Sequence, residues 1–108
     1  MTTNWILLLA AGLVEIVFAT CLKLSDGFRK KVWTGLFIAA AAVSFFLLNR
    51  AIETIPLGTA YAVWTGIGAG GTALVGMLAF NEPRSLLRIV LLVVLIGAVG
   101  GLKAVSPE

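Results

Sequence analysis

The sequence predicts an all-α integral membrane protein, folded as a single four-helix transmembrane domain over residues 1–108. The first observation behind this prediction is the composition: 60% of the residues are hydrophobic and only 12% are charged. A soluble domain carries about 25% charged residues, and a chain this short cannot bury so much apolar surface in a core of its own. The second observation is that the apolar residues form four stretches of membrane-spanning length.

These stretches predict helices at approximately 4–22, 32–48, 57–80 and 86–102. Each is near the roughly 20 residues that cross about 30 Å of hydrocarbon. The connections are short and polar, so none can form a separate domain. Pro56 and Pro83 precede the third and fourth helices, where the missing N–H costs no hydrogen bond.

Several functional classes are excluded by what the chain lacks. It contains no His and a single Cys, Cys21, which leaves no metal site and no disulfide framework. We expect Cys21 to pack as a small apolar residue. The net charge of +3 is spread over the loops and does not form a nucleic-acid patch. No nucleophile–base pair or phosphate loop is present, so an enzyme is not predicted.

The basic residues are distributed unevenly between the two membrane sides. Six lie on the side of the first and third loops, and two lie on the side of the second loop and the chain termini. The positive-inside rule places the more basic side in the cytoplasm, so it predicts that both termini lie outside the cytoplasm. The six are Lys23, Arg29, Lys30, Lys31, Arg84 and Arg88, and the two are Arg50 and Lys103.

Glu15 is the one acidic residue near the middle of a predicted span. A charged acid at a helix centre costs about 2.5–3.5 kcal/mol, and such residues usually face a cavity or a partner. No basic residue lies near the middle of a span to pair with it, since Arg88 is at the start of the fourth, so a proton or a mobile cation is the natural counter-charge. The alternative is a permanently protonated, structural hydrogen-bonding group.

The neighbours of Glu15 on its helix face fit a cation site. Gly12, three residues before it, lets another helix approach closely and leaves space beside the carboxylate. Phe18, three residues after it, offers an aromatic face to a flat or quaternary cation.

Tyr61 and Trp64 of the third helix combine aromatic faces with hydrogen-bond donors and are candidates to line the same site. The alternative is that both belong to the interfacial aromatic belt. Ser44 of the second helix offers a hydroxyl at membrane depth, which either joins the site or bonds back to its own helix.

Glycines suggest two further roles. Gly66 and Gly68 lie close together in the third helix, where they permit a bend of the kind that alternating access uses, or serve packing alone. Gly97 and Gly101 form a GxxxG pair in the fourth helix, a candidate contact between subunits. Four helices with one acid do not readily enclose a polar pathway, so we expect an oligomer.

Motifs along the whole chain make it similar to the small multidrug resistance family of proton-coupled exporters. They are Glu15, Lys23-x-Ser25-x-Gly27-Phe28, the run Pro56-x-Gly58-Thr59-Ala60-Tyr61-Ala62-Val63-Trp64-Thr65-Gly66-Ile67-Gly68, and Gly101-Leu102-Lys103.

The resemblance implies a multi-pass protein of the plasma (inner) membrane that works as an antiparallel dimer. Both copies of Glu15 would bind protons or substrate in mutually exclusive fashion, with protons as the coupling ion and no cofactor. Tyr61 and Trp64 match the aromatic site positions of the family, and Gly66-Ile67-Gly68 matches its third-helix hinge.

Within the family, the chain is most similar to guanidinium exporters. This similarity is found in residues 64–69, in residues 44–48 and at Ala41. Those exporters usually have Trp one turn after the glutamate, whereas here the residue is Phe18, a change expected to relax selectivity toward hydrophobic quaternary ammonium compounds. Two alternatives stay open. One is multidrug export of lipophilic cations. The other concerns the partner: the expected dimer is a homodimer, and the alternative, which the charge bias suits, is pairing with a paralogous subunit.

Overall fold

A computed structural model describes residues 2–105 and contains four α-helices and no β-strand in that range. They are α1 (Thr2–Leu24), α2 (Lys31–Ala51), α3 (Leu57–Ala79) and α4 (Leu86–Val105). All four are long and apolar enough to cross a membrane, which confirms the predicted fold class. At most ends the helices extend one to three residues beyond the apolar stretches, because flanking polar residues continue the helical backbone, and α3 ends one residue earlier.

The helices form a row in the order α2, α1, α3, α4, in which α2 also contacts α3 directly. The backbone of α1 packs against those of α2 and α3, whereas the backbone of α4 approaches only that of α3. The smallest principal extent of the Cα trace is 17 Å. The described chain is therefore a thin layer of helices with two broad faces.

Glycines permit the close approach of α3 to both of its neighbours. A Cβ at Gly12 would come within 2.8 Å of Ile67 Cβ, so the missing side chain at Gly12 makes room for the Ile67 side chain of α3. On the other side of α3, a Cβ at Gly70 would lie 2.9 Å from Ile96 of α4. Small residues thus provide the packing surfaces that membrane helices need, because lipid supplies little hydrophobic drive for helix association.

The connection between α1 and α2 is a tight turn organised by Ser25. This side chain is fully buried, and its hydroxyl donates to the Leu22 carbonyl at 2.7 Å. Asp26, Gly27 and Phe28 all have positive φ angles, which turns the chain back within a few residues.

The segment after α3 is held by charged side chains. Arg84 donates to the Met77 carbonyl through Nε at 3.0 Å and Nη2 at 2.6 Å, so it caps the C-terminal end of α3. Arg88 Nη2 lies 3.0 Å from Glu82 Oε1. This ion pair connects the loop to the first turn of α4.

Candidate functional site

The Glu15 carboxyl group lies between α1 and α3. The side chain is half-buried, and Oε1 is buried without a hydrogen-bond partner among the described residues. Gly68 of α3 lies directly against this carboxyl group, and a Cβ there would overlap it. The missing side chain at Gly68 therefore makes the space that Glu15 occupies.

A chain of buried hydrogen bonds joins three helices one turn away. Trp64 Nε1 of α3 donates to Ser44 Oγ of α2 at 2.9 Å, and Ser44 Oγ donates to the Ala11 carbonyl of α1 at 2.7 Å. In an α-helix, the carbonyl of residue 11 also accepts the backbone N–H of residue 15. Ser44 therefore donates to the same carbonyl that accepts the backbone N–H of Glu15. The alternative prediction, that the Ser44 hydroxyl bonds within its own helix, is wrong.

Aromatic rings continue from Trp64 in both directions. The Tyr61 and Trp64 centroids are 5.6 Å apart, Trp64 and Phe45 are 5.3 Å apart, and Phe45 and Phe18 stack at 6.2 Å. Phe37 meets Phe18 edge-on at 5.9 Å. We call Tyr61, Trp64, Phe45, Phe18 and Phe37 the aromatic cluster; such ring faces attract flat or quaternary cations.

The cluster is partly exposed. Trp64 is only 6% exposed, but Tyr61 is 55% exposed and Phe45 53% exposed. Tyr61 and Phe45 are therefore accessible in the protomer, while Trp64 is held in place by its bond to Ser44.

The structure brings most of the predicted site residues together. Ser44 and Trp64 share a hydrogen bond, Tyr61 contacts Trp64, and Phe18 reaches them through Phe45. Glu15 lies one turn beyond Ala11, at the edge of this group, against Gly68.

The other predicted glycines lie in different settings. Gly12 packs against Ile67, and Gly66 packs against Val99 of α4. Gly66 and Gly68 are both within the unbroken helix α3, so the hinge stays a prediction. Gly97 and Gly101 have nothing within 4 Å of a Cβ position, and their role in dimer packing likewise stays a prediction.

Sequence reasoning missed three participants. Phe45 connects Phe18 to Trp64, and the only signal was its place in an aromatic pair beside Ser44. The Ala11 carbonyl has no sequence signal, because a backbone acceptor is recognised only once the helices are packed. The contact of Gly68 with Glu15 also depends on the register between α1 and α3.

Comparison with known proteins decides the family. A family profile described as Small Multidrug Resistance protein matches residues 3–95. The chain belongs to this family. The resemblance based on its motifs is thereby confirmed, and four spanning helices make this small multidrug resistance protein a multi-pass membrane protein.

Individual relatives cover nearly the full length of both chains. The probable guanidinium efflux system subunit GdnD of Bacillus licheniformis is 46% identical over 103 residues, which is 95% of this chain and 99% of the relative. A guanidinium exporter of Yersinia pseudotuberculosis is 46% identical over 102 residues, covering 94% and 98% of the two chains. A guanidinium exporter of Proteus vulgaris is 43% identical over 103 residues, covering 95% and 99%.

Proposed function

We propose that this small multidrug resistance protein is a secondary active antiporter that exports guanidinium or guanidinium-like small cations in exchange for protons. Glu15 binds the proton and the cation in competition, so that protons are the coupling ion and no cofactor takes part. The observation that carries the proposal is the buried Glu15 Oε1, which has no hydrogen-bond partner among the described residues. A carboxyl oxygen left in this state within a span accepts a proton or attracts a cation.

The surroundings of Glu15 favour a flat organic cation over a metal ion. Guanidinium offers planar N–H donors to a carboxylate and a delocalised face to an aromatic ring. Trp64 lies one turn before Gly68 on α3 and contacts the Phe45 ring, and the Ser44 bond fixes the orientation of Trp64. Two relatives named guanidinium exporter support the same substrate class.

We further propose that the working unit is an antiparallel homodimer in the plasma (inner) membrane. One protomer is a thin layer, and Tyr61 and Phe45 of its aromatic cluster are exposed. A second copy facing it would enclose the cation between two layers and bring two Glu15 carboxyl groups to one cavity.

A second candidate function has two observations in its favour. Phe18 stacks on Phe45 and offers no N–H toward Glu15, which suits hydrophobic quaternary ammonium compounds. The six-to-two distribution of basic residues suits one half of a heteromeric pair, and one relative is named as a subunit of an efflux system. The alternative is therefore a multidrug exporter of lipophilic cations, working with a paralogous subunit.

Transport by the purified protein tests both proposals. Solid-supported-membrane electrophysiology on proteoliposomes compares guanidinium with a tetraalkylammonium ion on the same preparation. We expect a guanidinium-driven current that Glu15→Gln abolishes and that Glu53→Gln leaves intact, because Glu53 lies in an exposed loop. Unchanged current in Glu15→Gln contradicts the proposed role of Glu15.

The same recordings separate the alternatives. Current with the tetraalkylammonium ion and none with guanidinium supports multidrug export. Current with neither cation until a paralogous subunit is co-reconstituted supports the heteromeric pair.

A further inference from the structure

An apolar groove of about 560 Å³ runs between α3 and α4. Apart from Arg84, every residue that lines it is a glycine, a methionine or an aliphatic residue. On α3 the lining extends from Gly70 to Leu78, which is about 12 Å of helix at 1.5 Å per residue. One leaflet contributes about 15 Å, half of the hydrocarbon core. The groove is therefore about as long as one leaflet is deep.

The groove and the Glu15 carboxyl group lie on different sides of α3. Gly68 lies against that carboxyl group, whereas Gly70 lines the groove. Two residues turn an α-helix by about 200°, so these two glycines face nearly opposite directions. Leu74 and Leu78 of the groove are more than half exposed in the protomer. A second copy that faces the aromatic cluster would leave this groove to the lipid.

The inner end of the groove is shaped by two glycines of α3. A Cβ at Gly70 would lie 2.9 Å from Ile96 Cδ1 of α4. A Cβ at Gly71 would overlap the Ile16 side chain of α1. Branched aliphatic side chains thus lie over bare helix backbone at this end. Such a lining suits a hydrocarbon chain and offers no partner to a charged solute.

The one charged group in the groove lining is the guanidinium of Arg84, in the segment between α3 and α4. Its Nε and Nη2 donate to the Met77 carbonyl. A guanidinium has five N–H donors, so three remain on Nη1 and Nη2. Within residues 2–105 Arg84 forms no ion pair, and the nearby Glu82 is already paired with Arg88. Arg84 therefore keeps an unneutralised charge and an unused donor edge.

This combination matches the two parts of a phospholipid. An acyl chain fits an apolar groove of leaflet depth, and guanidinium groups bind phosphate through paired N–H donors. Basic pockets between membrane helices recognise anionic headgroups in this way. The charge balance selects the headgroup: because Glu82 and Arg88 neutralise each other, Arg84 leaves a net positive charge here. That charge attracts an anionic lipid and repels the ammonium group of a zwitterionic one.

We propose that the groove between α3 and α4 binds one anionic phospholipid, such as phosphatidylglycerol, with an acyl chain along Leu74 and Leu92 and the phosphate on Arg84. Such a lipid contacts both helices at once. The backbone of α4 approaches only that of α3, and none of its described residues is buried. The bound chain therefore adds apolar contact that holds α4 against α3.

Native mass spectrometry of the detergent-solubilised protein tests the site. Dioleoyl-phosphatidylglycerol and dioleoyl-phosphatidylcholine are titrated separately, and the Kd of the first bound lipid is measured for each. We expect the wild type to bind phosphatidylglycerol at least about fivefold more tightly, since the two headgroups differ in net charge beside Arg84. Glycerol phosphate in equal amount should not displace the lipid, because it has no chain to occupy the groove.

A charge variant tests the phosphate contact. Arg84→Gln should weaken phosphatidylglycerol binding at least about tenfold and remove the preference for it, since hydrogen bonds to charged groups are the strong ones. Arg29→Gln is the matched control, because Arg29 is exposed on the same membrane side and pairs with Asp26. It should leave both affinities within about twofold of the wild type.

A groove variant tests the acyl-chain contact without touching Arg84. Leu74→Trp places a large ring in the groove and should weaken both lipids by a similar factor of at least about ten, since each buried CH₂ contributes about 0.8 kcal/mol. Leu13→Trp adds the same ring at an exposed position outside the groove and should change neither affinity.

Four outcomes overturn the inference. Equal affinities of the wild type for the two lipids contradict the charge match, and this result depends on no variant. Equal losses in Arg84→Gln and Arg29→Gln show attraction to a basic surface in general. Displacement by glycerol phosphate shows a headgroup contact without the groove. A changed oligomeric mass in Leu74→Trp with unaltered lipid binding shows that the groove is a contact between copies.

Circular dichroism shows whether each variant keeps its helices. If Arg84→Gln loses helicity because the end of α3 loses its cap, the decision rests on the wild type and on the pair Leu74→Trp and Leu13→Trp, in which Arg84 still bonds to the Met77 carbonyl.

Discussion

The hydroxyl of Ser44 is the feature of the site whose removal has the clearest expected consequence. Ser44 is fully buried, donates to the Ala11 carbonyl at 2.7 Å and accepts from Trp64 Nε1 at 2.9 Å. Ser44→Ala removes both bonds. The Ala11 carbonyl retains its helical partner, but the buried Trp64 N–H is left without one.

The magnitude follows from these contacts. Interhelical hydrogen bonds in membranes contribute about 0.6 kcal/mol on average and at most about 1.7 kcal/mol. An unsatisfied buried donor adds a cost of about 1–3 kcal/mol. We therefore expect Ser44→Ala to lower the free energy of unfolding by about 2 kcal/mol. Trp64→Phe already removes the indole N–H donor. In that background, Ser44→Ala should therefore lower the free energy of unfolding by about 1 kcal/mol less than it does in the wild type.

The assay is a double-mutant cycle on the free energy of unfolding. Wild type, Ser44→Ala, Trp64→Phe and the double variant are unfolded by SDS titration in mixed micelles and followed by circular dichroism. Thr34→Val is the control on the same helix, because its hydroxyl donates to the Lys30 carbonyl of the preceding turn and joins no other helix. Additivity of the two single changes within about 0.4 kcal/mol refutes the reasoning.

Two further predictions concern the immediate neighbours of the carboxylate. Gly68→Ala should weaken guanidinium binding at least about tenfold by calorimetry, since the new Cβ overlaps the Glu15 carboxyl group. Gly35→Ala is the control and should leave the affinity unchanged, because its new methyl group enters open space. Equal affinities in the two variants contradict the contact between Gly68 and Glu15. Phe18→Trp should raise the transport ratio of guanidinium to tetraalkylammonium severalfold, because the indole N–H supplies a donor near Glu15 and a bulkier ring displaces Phe45. An unchanged ratio in that variant removes Phe18 as a determinant of selectivity.

The fold could be predicted because a bilayer leaves few alternatives. Lipid cannot hydrogen-bond a backbone, so an apolar stretch of sufficient length must be helical. The stretch at 86–102 illustrates the strength of this rule, because α4 forms there even though none of its described residues is buried in the protomer. The helix row was not predictable, since hydropathy carries no information about which helices are neighbours.

The sequence identifies candidate site residues but not the contacts between them. Glu15 is conspicuous because an acid in a span is costly, and Trp64 and Ser44 stand out as polar groups at similar depth. Their mutual hydrogen bond depends on the relative rotation of α2 and α3, which the sequence does not specify.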